Sequence, residues 1–103
     1  MTKTNNVKVY ISGAMASKPD TYKEDFERAE KLFKKYGYTV INPAILPNGL
    51  NHENYMPICL TMLDAADFIY MLAGWENSKG AILEKAYAEY QGKDIIYEIT
   101  EGK

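Results

Sequence analysis

The chain of 103 residues has the length of a single domain. Apolar residues make up 47% of it and charged residues 25%, as in an ordinary globular protein, and the net charge of −2 gives no electrostatic footprint for a nucleic acid or an anionic membrane surface. No apolar run reaches the length of a membrane span, and the polar start, MTKTNN, lacks the features of a signal peptide.

Cysteine and histidine each occur once, which limits the chemistry available to one chain. Cys59 cannot form an internal disulfide, so we expect a reduced, cytoplasmic setting. His52 alone cannot build a histidine-based metal cluster. The sequence contains no redox-cofactor motif, no GxGxxG and no P-loop. We therefore expect neither a metal nor a cofactor.

The first part of the chain predicts a strand, a helix and a second strand. Val7–Ser12 mixes β-branched and aromatic residues and ends at Gly13, which is typical of a strand before a turn. Asp20 is the predicted cap of a helix that Gly37 ends, and YTVI (38–41) is the second strand. The apolar residues of the helix recur every three or four positions: Tyr22, Phe26, Ala29, Leu32, Phe33 and Tyr36.

A longer loop, NPAILPNGLNHEN, leads to the second helix and carries turn signals at Pro47, Asn48 and Gly49. Asn54 is the predicted cap of this helix, which runs to Ala66 with Pro57 in its first turn. The apolar stripe of the helix consists of Met56, Cys59, Leu60 and Leu63.

The last part of the chain predicts a strand, a helix and a strand. DFIYML (67–72) is the third strand, and the last helix starts between Ser78 and Gly80 and ends before Gly92. DIIYEI (94–99) is the fourth strand, and the tail, TEGK, is polar. The predicted apolar stripe of the last helix is Leu83, Ala86, Tyr87 and Tyr90.

The order of elements predicts an α/β fold with a parallel sheet. Two strand segments are near-continuous apolar runs, which is typical of parallel strands covered on both faces. Right-handed crossovers favour a flavodoxin-like or Rossmann-like three-layer sandwich with four strands, or five, in the order 2-1-3-4. In such a sheet a ligand binds where the strand order reverses, so the loops at 12–18 and 73–80 form the predicted site.

Glu84 is the first candidate for chemistry at this site. It follows the predicted helix start by about one turn, so its carboxylate can face a ligand in the crevice. The positive end of the helix would suit a phosphate and lower the pKa of a nearby acid. The alternative is a solvated Glu84 paired with Lys85 or Lys79, because exposed glutamates are common on helices.

Four other residues near the loops have two interpretations each. Ser78 and Gly80 can cradle a phosphate, or Ser78 can simply cap the helix. Tyr10, near the carboxyl end of strand one, can hydrogen-bond a carboxylate in the crevice or pack between sheet and helix. Trp75 can stack on a base or sugar, or cover the sheet edge.

The remaining candidates favour structural roles. Asp67 begins strand three at the end of the sheet away from the crevice, so a turn or cap role is expected. Cys59 lies on an apolar stripe and is expected to be a buried, inert thiol. His52 lies in a polar loop with no evident partner and is expected to be exposed.

The segments VYISGAM, GYTVINPA and AADFIYMLAGWENSKGAILEKAYAEYQGK, in this order, resemble the nucleoside 2-deoxyribosyltransferase-like superfamily. The closest resemblance is to its small bacterial and phage branch of unassigned function, and it covers nearly the whole chain, roughly residues 7–97. Relatives include deoxyribosyltransferases and 2′-deoxynucleoside 5′-monophosphate N-glycosidases. The resemblance also implies a homo-oligomer, a dimer or larger.

The resemblance implies a role for several residues of this chain. Glu84 corresponds to the nucleophile of the family's G-x-x-x-E helix, and Tyr10 to the tyrosine that orients it. Ser78 corresponds to the serine that contacts a phosphate in the monophosphate glycosidases. Ser12 and Gly13 match the loop that lies along the sugar and phosphate. Independently of the resemblance, we expect Trp75 and Asn77 to contact the base or sugar, and Gly80 to lie beside a phosphate.

One departure concerns the acid that serves the leaving base. Characterised relatives carry an Asp eight residues before the acid that opens strand three, and here that position is Cys59. A thiol, with an ordinary pKa of about 8.5, does not replace a carboxyl group directly. Asp64 is about 140° further round the helix and cannot simply stand in. Either another group assists the leaving base, or the chemistry is weaker or absent.

The sequence therefore leads to one main hypothesis and two rivals. The main hypothesis is hydrolysis of an N-glycosidic bond, or deoxyribosyl transfer, on a nucleoside or nucleoside 5′-monophosphate, with Glu84 as nucleophile. The second hypothesis is a non-catalytic module that binds a nucleotide to sense or sequester it, which Cys59 favours. The third is a structural partner domain whose crevice holds no ligand.

Overall fold

The computed structural model describes residues 6–47 and 49–99. Most of the polar start (residues 1–5), Asn48 of the predicted turn, and the tail TEGK lie outside the described residues. The strands are β1 (Lys8–Ser12), β2 (Thr39–Ile41), β3 (Phe68–Met71) and β4 (Asp94–Tyr97). The helices are α1 (Tyr22–Lys35), α2 (His52–Asp64) and α3 (Lys79–Tyr90), and Pro43–Ile45 and Trp75–Asn77 form single 3₁₀ turns.

The four strands form one parallel sheet in the order β2-β1-β3-β4, which confirms the predicted α/β class, strand direction and order. β1 is central, and its Tyr10 aligns with Ile41 of β2 and Ile69 of β3. Helices cover both faces, as in a flavodoxin-like three-layer fold. None of the helices in residues 6–47 and 49–99 is both long and apolar enough to cross a bilayer.

The alternation of side chains along β1 decides which residues meet which helix. Val9 and Ile11 point to the face that packs against α1, where they contact Phe26. Tyr10 points to the opposite face, among the buried residues of α2 and α3. Ser12, two positions after Tyr10, shares that face, so the strand presents two hydroxyl groups in a row beneath α3.

Two predicted helix caps are wrong by a few residues. α1 begins after Thr21 rather than at Asp20, and no side chain caps it. α2 begins at His52, because the Asn51 side chain accepts a hydrogen bond from the Asn54 backbone N–H at 3.0 Å. Pro57 consequently lies in the second turn of α2 rather than in the first.

The predicted core-facing stripe of α3 is wrong at Leu83, Ala86 and Tyr90, whereas Tyr87 is half-buried against the core as predicted. Leu83 is 44% exposed and Tyr90 is 88% exposed, whereas the buried residues are Ala81, Glu84 and Ala88. Two alanines let this helix lie close to the sheet, and Glu84 faces inwards because the hydroxyl groups of β1 hydrogen-bond its carboxylate. The apolar spacing predicted the helix correctly but indicated its solvent face instead of its buried face.

Candidate functional site

A cavity of about 1130 Å³ opens at the carboxyl ends of β1 and β3, where the strand order reverses. The loop after β1 contributes Gly13, Met15 and Ser17 to its wall, and the loop before α3 contributes Asn77 and Ser78. This is the position that the topology predicted, and the two predicted loops both line it. The loop after β3 is held by Glu98, whose carboxylate accepts a hydrogen bond from the Ala73 N–H at 2.9 Å.

Glu84 lies on the wall of this cavity and is only 5% exposed. The Tyr10 hydroxyl donates a hydrogen bond to its Oε2 at 2.9 Å, and the Ser12 hydroxyl donates to its Oε1 at 2.6 Å. Each carboxylate oxygen therefore accepts a hydrogen bond from one neutral hydroxyl group. Tyr10 and Ser12 lie two positions apart on β1, and together they fix the plane of the carboxylate. The alternative of a solvated Glu84 paired with a lysine is wrong, since Lys85 pairs with Glu89 instead.

Burial raises the pKa of Glu84 to about 7, although the hydrogen bonds from Ser12 and Tyr10 act in the opposite direction. The expectation that the helix terminus lowers this pKa is wrong, because desolvation is the larger effect. Burial and the adjacent Glu84 charge raise the pKa of Tyr10 well above its ordinary value, so its hydroxyl remains a donor. A carboxyl group that gains and loses a proton near pH 7 is a candidate functional group.

Cys59 is fully buried behind Glu84 and does not line the cavity. Burial raises its pKa to about 11, and the neighbouring groups that also influence this pKa are Tyr10, Tyr55 and Glu84. The thiol therefore stays neutral near pH 7. The predicted buried thiol is confirmed, and its position cannot deliver a proton to a ligand in the cavity.

The sequence did not predict one wall of the cavity. It consists of the segment before α2 and the first turns of that helix: Leu46, Pro47, Gly49, Leu50, His52, Tyr55 and Met56. His52 is exposed, as predicted, but it also faces the cavity. The Tyr55 hydroxyl is fixed by hydrogen bonds to the Pro43 carbonyl at 3.2 Å and to Met15 Sδ at 2.9 Å. No local sequence signal indicates this wall, because it depends on how α2 packs beside α3.

Ser78 caps α3, as one of its two interpretations predicted. Its Oγ accepts a hydrogen bond from the Ala81 N–H at 3.1 Å while the residue lines the cavity. Gly80 also lines the cavity, and a methyl group added there would lie 3.2 Å from Met56 Sδ. Gly13 has a packing reason for lacking a side chain, since a Cβ there would lie 2.9 Å from the Leu72 Cβ.

Trp75, Asp64 and Asp67 do not line the cavity, and for Asp67 this is the predicted outcome. Trp75 packs against Tyr97, with ring centroids 5.9 Å apart, and does not line the cavity, which favours its interpretation as a cover for the sheet edge. Asp64 accepts hydrogen bonds from the Tyr87 hydroxyl at 2.8 Å and from Gln91 at 2.7 Å, so it joins the carboxyl ends of α2 and α3. Asp67 accepts a hydrogen bond from the Lys8 N–H at the far end of the sheet.

The family model described as a domain of unknown function, DUF4406, matches residues 7–97. The chain belongs to the DUF4406 family. The DUF4406 match spans all four strands and three helices, and therefore includes Tyr10, Ser12 and Glu84. A search of curated proteins gave no match.

The cavity of this DUF4406 protein has three features that can act on a ligand: a buried carboxylate, two hydroxyl groups that donate to it, and the N-terminus of α3 beside it. Across residues 6–47 and 49–99, no three His, Cys, Asp or Glu side chains come together as ligands for a metal ion. A carboxylate held in line by neutral donors can act as a nucleophile or as an acceptor for a polar ligand.

Proposed function

We propose that this protein binds a nucleoside or nucleoside 5′-monophosphate in the cavity and cleaves its N-glycosidic bond by nucleophilic attack of Glu84. Water or a second base then accepts the sugar. The observation that carries the proposal is the carboxylate of Glu84 on the cavity wall, with Ser12 and Tyr10 each donating to one oxygen. The resemblance to the nucleoside 2-deoxyribosyltransferase-like superfamily supports the assignment of the substrate class.

The geometry suits an anomeric carbon. Cleavage of an N-glycosidic bond passes through an oxocarbenium-like transition state, which an adjacent carboxylate stabilises and captures. A Glu84 oxygen forms a bond to C1′ as the bond from C1′ to nitrogen breaks, and its electron pair leaves with the base. Attack by water or another base then breaks the Glu84 ester and gives net retention.

The neighbouring residues have supporting roles in this proposal. Tyr10 and Ser12 hold the carboxylate in one orientation and favour its ionised form. Ser78 and the free backbone N–H groups at the start of α3 lie on the same wall and suit a 5′-phosphate. Asn77, also on this wall, is placed to contact the sugar or base.

Turnover of a nucleoside and nucleotide panel by the wild type, Glu84→Gln and Glu84→Ala tests the proposal. Removal of the nucleophile should lower kcat by on the order of 10³-fold or more for any substrate that the wild type cleaves. Glu89→Gln is the matched control, because Glu89 lies on the same helix but is exposed and pairs with Lys85. Equal turnover by wild type and both Glu84 variants would exclude Glu84 as nucleophile.

A second candidate is a nucleotide-binding module without turnover. Both Glu84 oxygens already accept hydrogen bonds, and the thiol of Cys59 cannot assist a leaving base, which favours binding over catalysis. Under this proposal a nucleoside monophosphate at 100 times its Kd stabilises the fold by about 2.7 kcal/mol and is recovered intact. Detection of free base would exclude this candidate.

We also propose that the chain forms a homo-oligomer. The outer face of α3 leaves Ile82, Leu83 and Tyr90 exposed, and apolar groups on one helix face favour association. Sedimentation equilibrium should give a mass of at least twice that of one chain, and Leu83→Glu should reduce it. A monomer at all concentrations would refute this proposal.

A further inference from the structure

We propose that His52 protonates the departing base and then activates the water that releases the sugar. This inference rests on the function proposed above and supplies the group that Cys59 does not. The observation behind it is that His52 is the first residue of α2 and lines the same cavity as Glu84.

The two side chains approach the cavity from neighbouring helices. A methyl group added at Gly80 would lie 4.0 Å from His52 Cε1, so the imidazole ring stands over the first turn of α3. Gly80 precedes Glu84 by four residues, or about 6 Å along the same side of the helix. His52 therefore lies beside the first turn of α3 and Glu84 one turn further along it, and both line the cavity in which the sugar and its base would bind.

Other titratable groups on the cavity wall are Tyr22 and Lys23 of α1, Tyr55 of α2, and Lys79 of α3. Ammonium and phenol groups are weak acids near neutral pH, whereas imidazole gives and takes protons there. Burial raises the pKa of Tyr55 above its ordinary value, and its hydroxyl group already forms hydrogen bonds with the Pro43 carbonyl and Met15 Sδ. Tyr10 and Cys59 lie behind the carboxylate, away from the space for a base.

The proton balance of the step is complete. The imidazolium of His52 donates its proton to a ring nitrogen or carbonyl oxygen of the base as the bond from C1′ to nitrogen breaks and Glu84 bonds to C1′. The base leaves neutral, and His52 is then a neutral imidazole. It accepts a proton from the attacking water as the ester to Glu84 breaks, which restores both side chains.

The test compares two leaving groups in the wild type and His52→Gln. An ordinary purine 2′-deoxynucleoside 5′-monophosphate needs protonation to leave, whereas its N7-methylated counterpart carries a positive charge and leaves as a neutral base. We expect His52→Gln to lower kcat/KM for the ordinary substrate by about 10²-fold or more and to change it less than threefold for the methylated one.

Glu53→Gln is the matched control, because Glu53 is the exposed neighbour of His52 in the same first turn and does not line the cavity. Equal losses on both substrates would mean that His52 only binds, and no loss on either would mean that it has no role; both results overturn the inference. A wild type that cleaves no member of the nucleoside and nucleotide panel overturns the proposed function itself, and the inference with it. Circular dichroism and Tm confirm that each variant is folded.

Discussion

Glu84→Gln should make the folded protein more stable at pH 8 while abolishing the proposed activity. Burial raises the pKa of the carboxyl from its ordinary value of 4.5 to about 7, so the native state holds this proton more tightly than the unfolded chain does. The resulting stabilisation is complete below pH 4.5 and is lost as the pH rises to about 7. One pKa unit corresponds to about 1.4 kcal/mol, so the full effect is about 3 kcal/mol.

Glutamine keeps the shape of the side chain without a titrating proton, and the hydroxyls of Ser12 and Tyr10 can rotate to accept from its amide. Urea unfolding at pH 4.5 and pH 8 measures the difference. We expect similar midpoints at pH 4.5, and at pH 8 a midpoint for the variant that is higher by on the order of 1–2 M. The reasoning fails if the difference between variant and wild type is the same at both pH values.

Three further predictions concern neighbouring residues. Tyr10→Phe removes a hydrogen-bond donor to the ionised carboxylate, so it should raise the pKa of Glu84 above about 7. The infrared carboxylate band measures this pKa, and an unchanged value would contradict the role of the bond. Cys59→Asp buries a second carboxyl beside Glu84, so it should lower the free energy of unfolding by about 2 kcal/mol or more at pH 8. Cys59→Ser should lower it less, and equal urea midpoints for the two variants would refute this prediction. Gly13→Ala sets a Cβ 2.9 Å from the Leu72 Cβ and should destabilise the fold by about 1–3 kcal/mol, and an unchanged Tm would show that the backbone yields there.

The parts of the site that follow from local sequence were predictable. The alternation in Val7–Ser12 fixes Tyr10 and Ser12 on one face of a strand, and the parallel order brings the loops after β1 and β3 together. Because Ser78 caps α3, the position of Glu84 in the second turn of that helix was also predictable from the sequence.

The parts that depend on packing between helices were not predictable. Leu83 and Tyr90 have the spacing of a core stripe, but the hydroxyl groups of β1 favour the rotation of α3 that buries Glu84. Asn51 and Asn54 are both good caps, and only the structure shows that the earlier one starts α2. That start places His52 on the cavity wall.

Mass spectrometry of the protein after incubation with a slow 2′-fluoro-substituted nucleotide substrate tests the central claim most directly. Fluorine at C2′ destabilises the oxocarbenium-like transition state, so a covalent intermediate accumulates. The account predicts one added fluorosugar phosphate per chain, attached to Glu84, with release of one equivalent of base. Release of base without an adduct, or an adduct on any other residue, would contradict it.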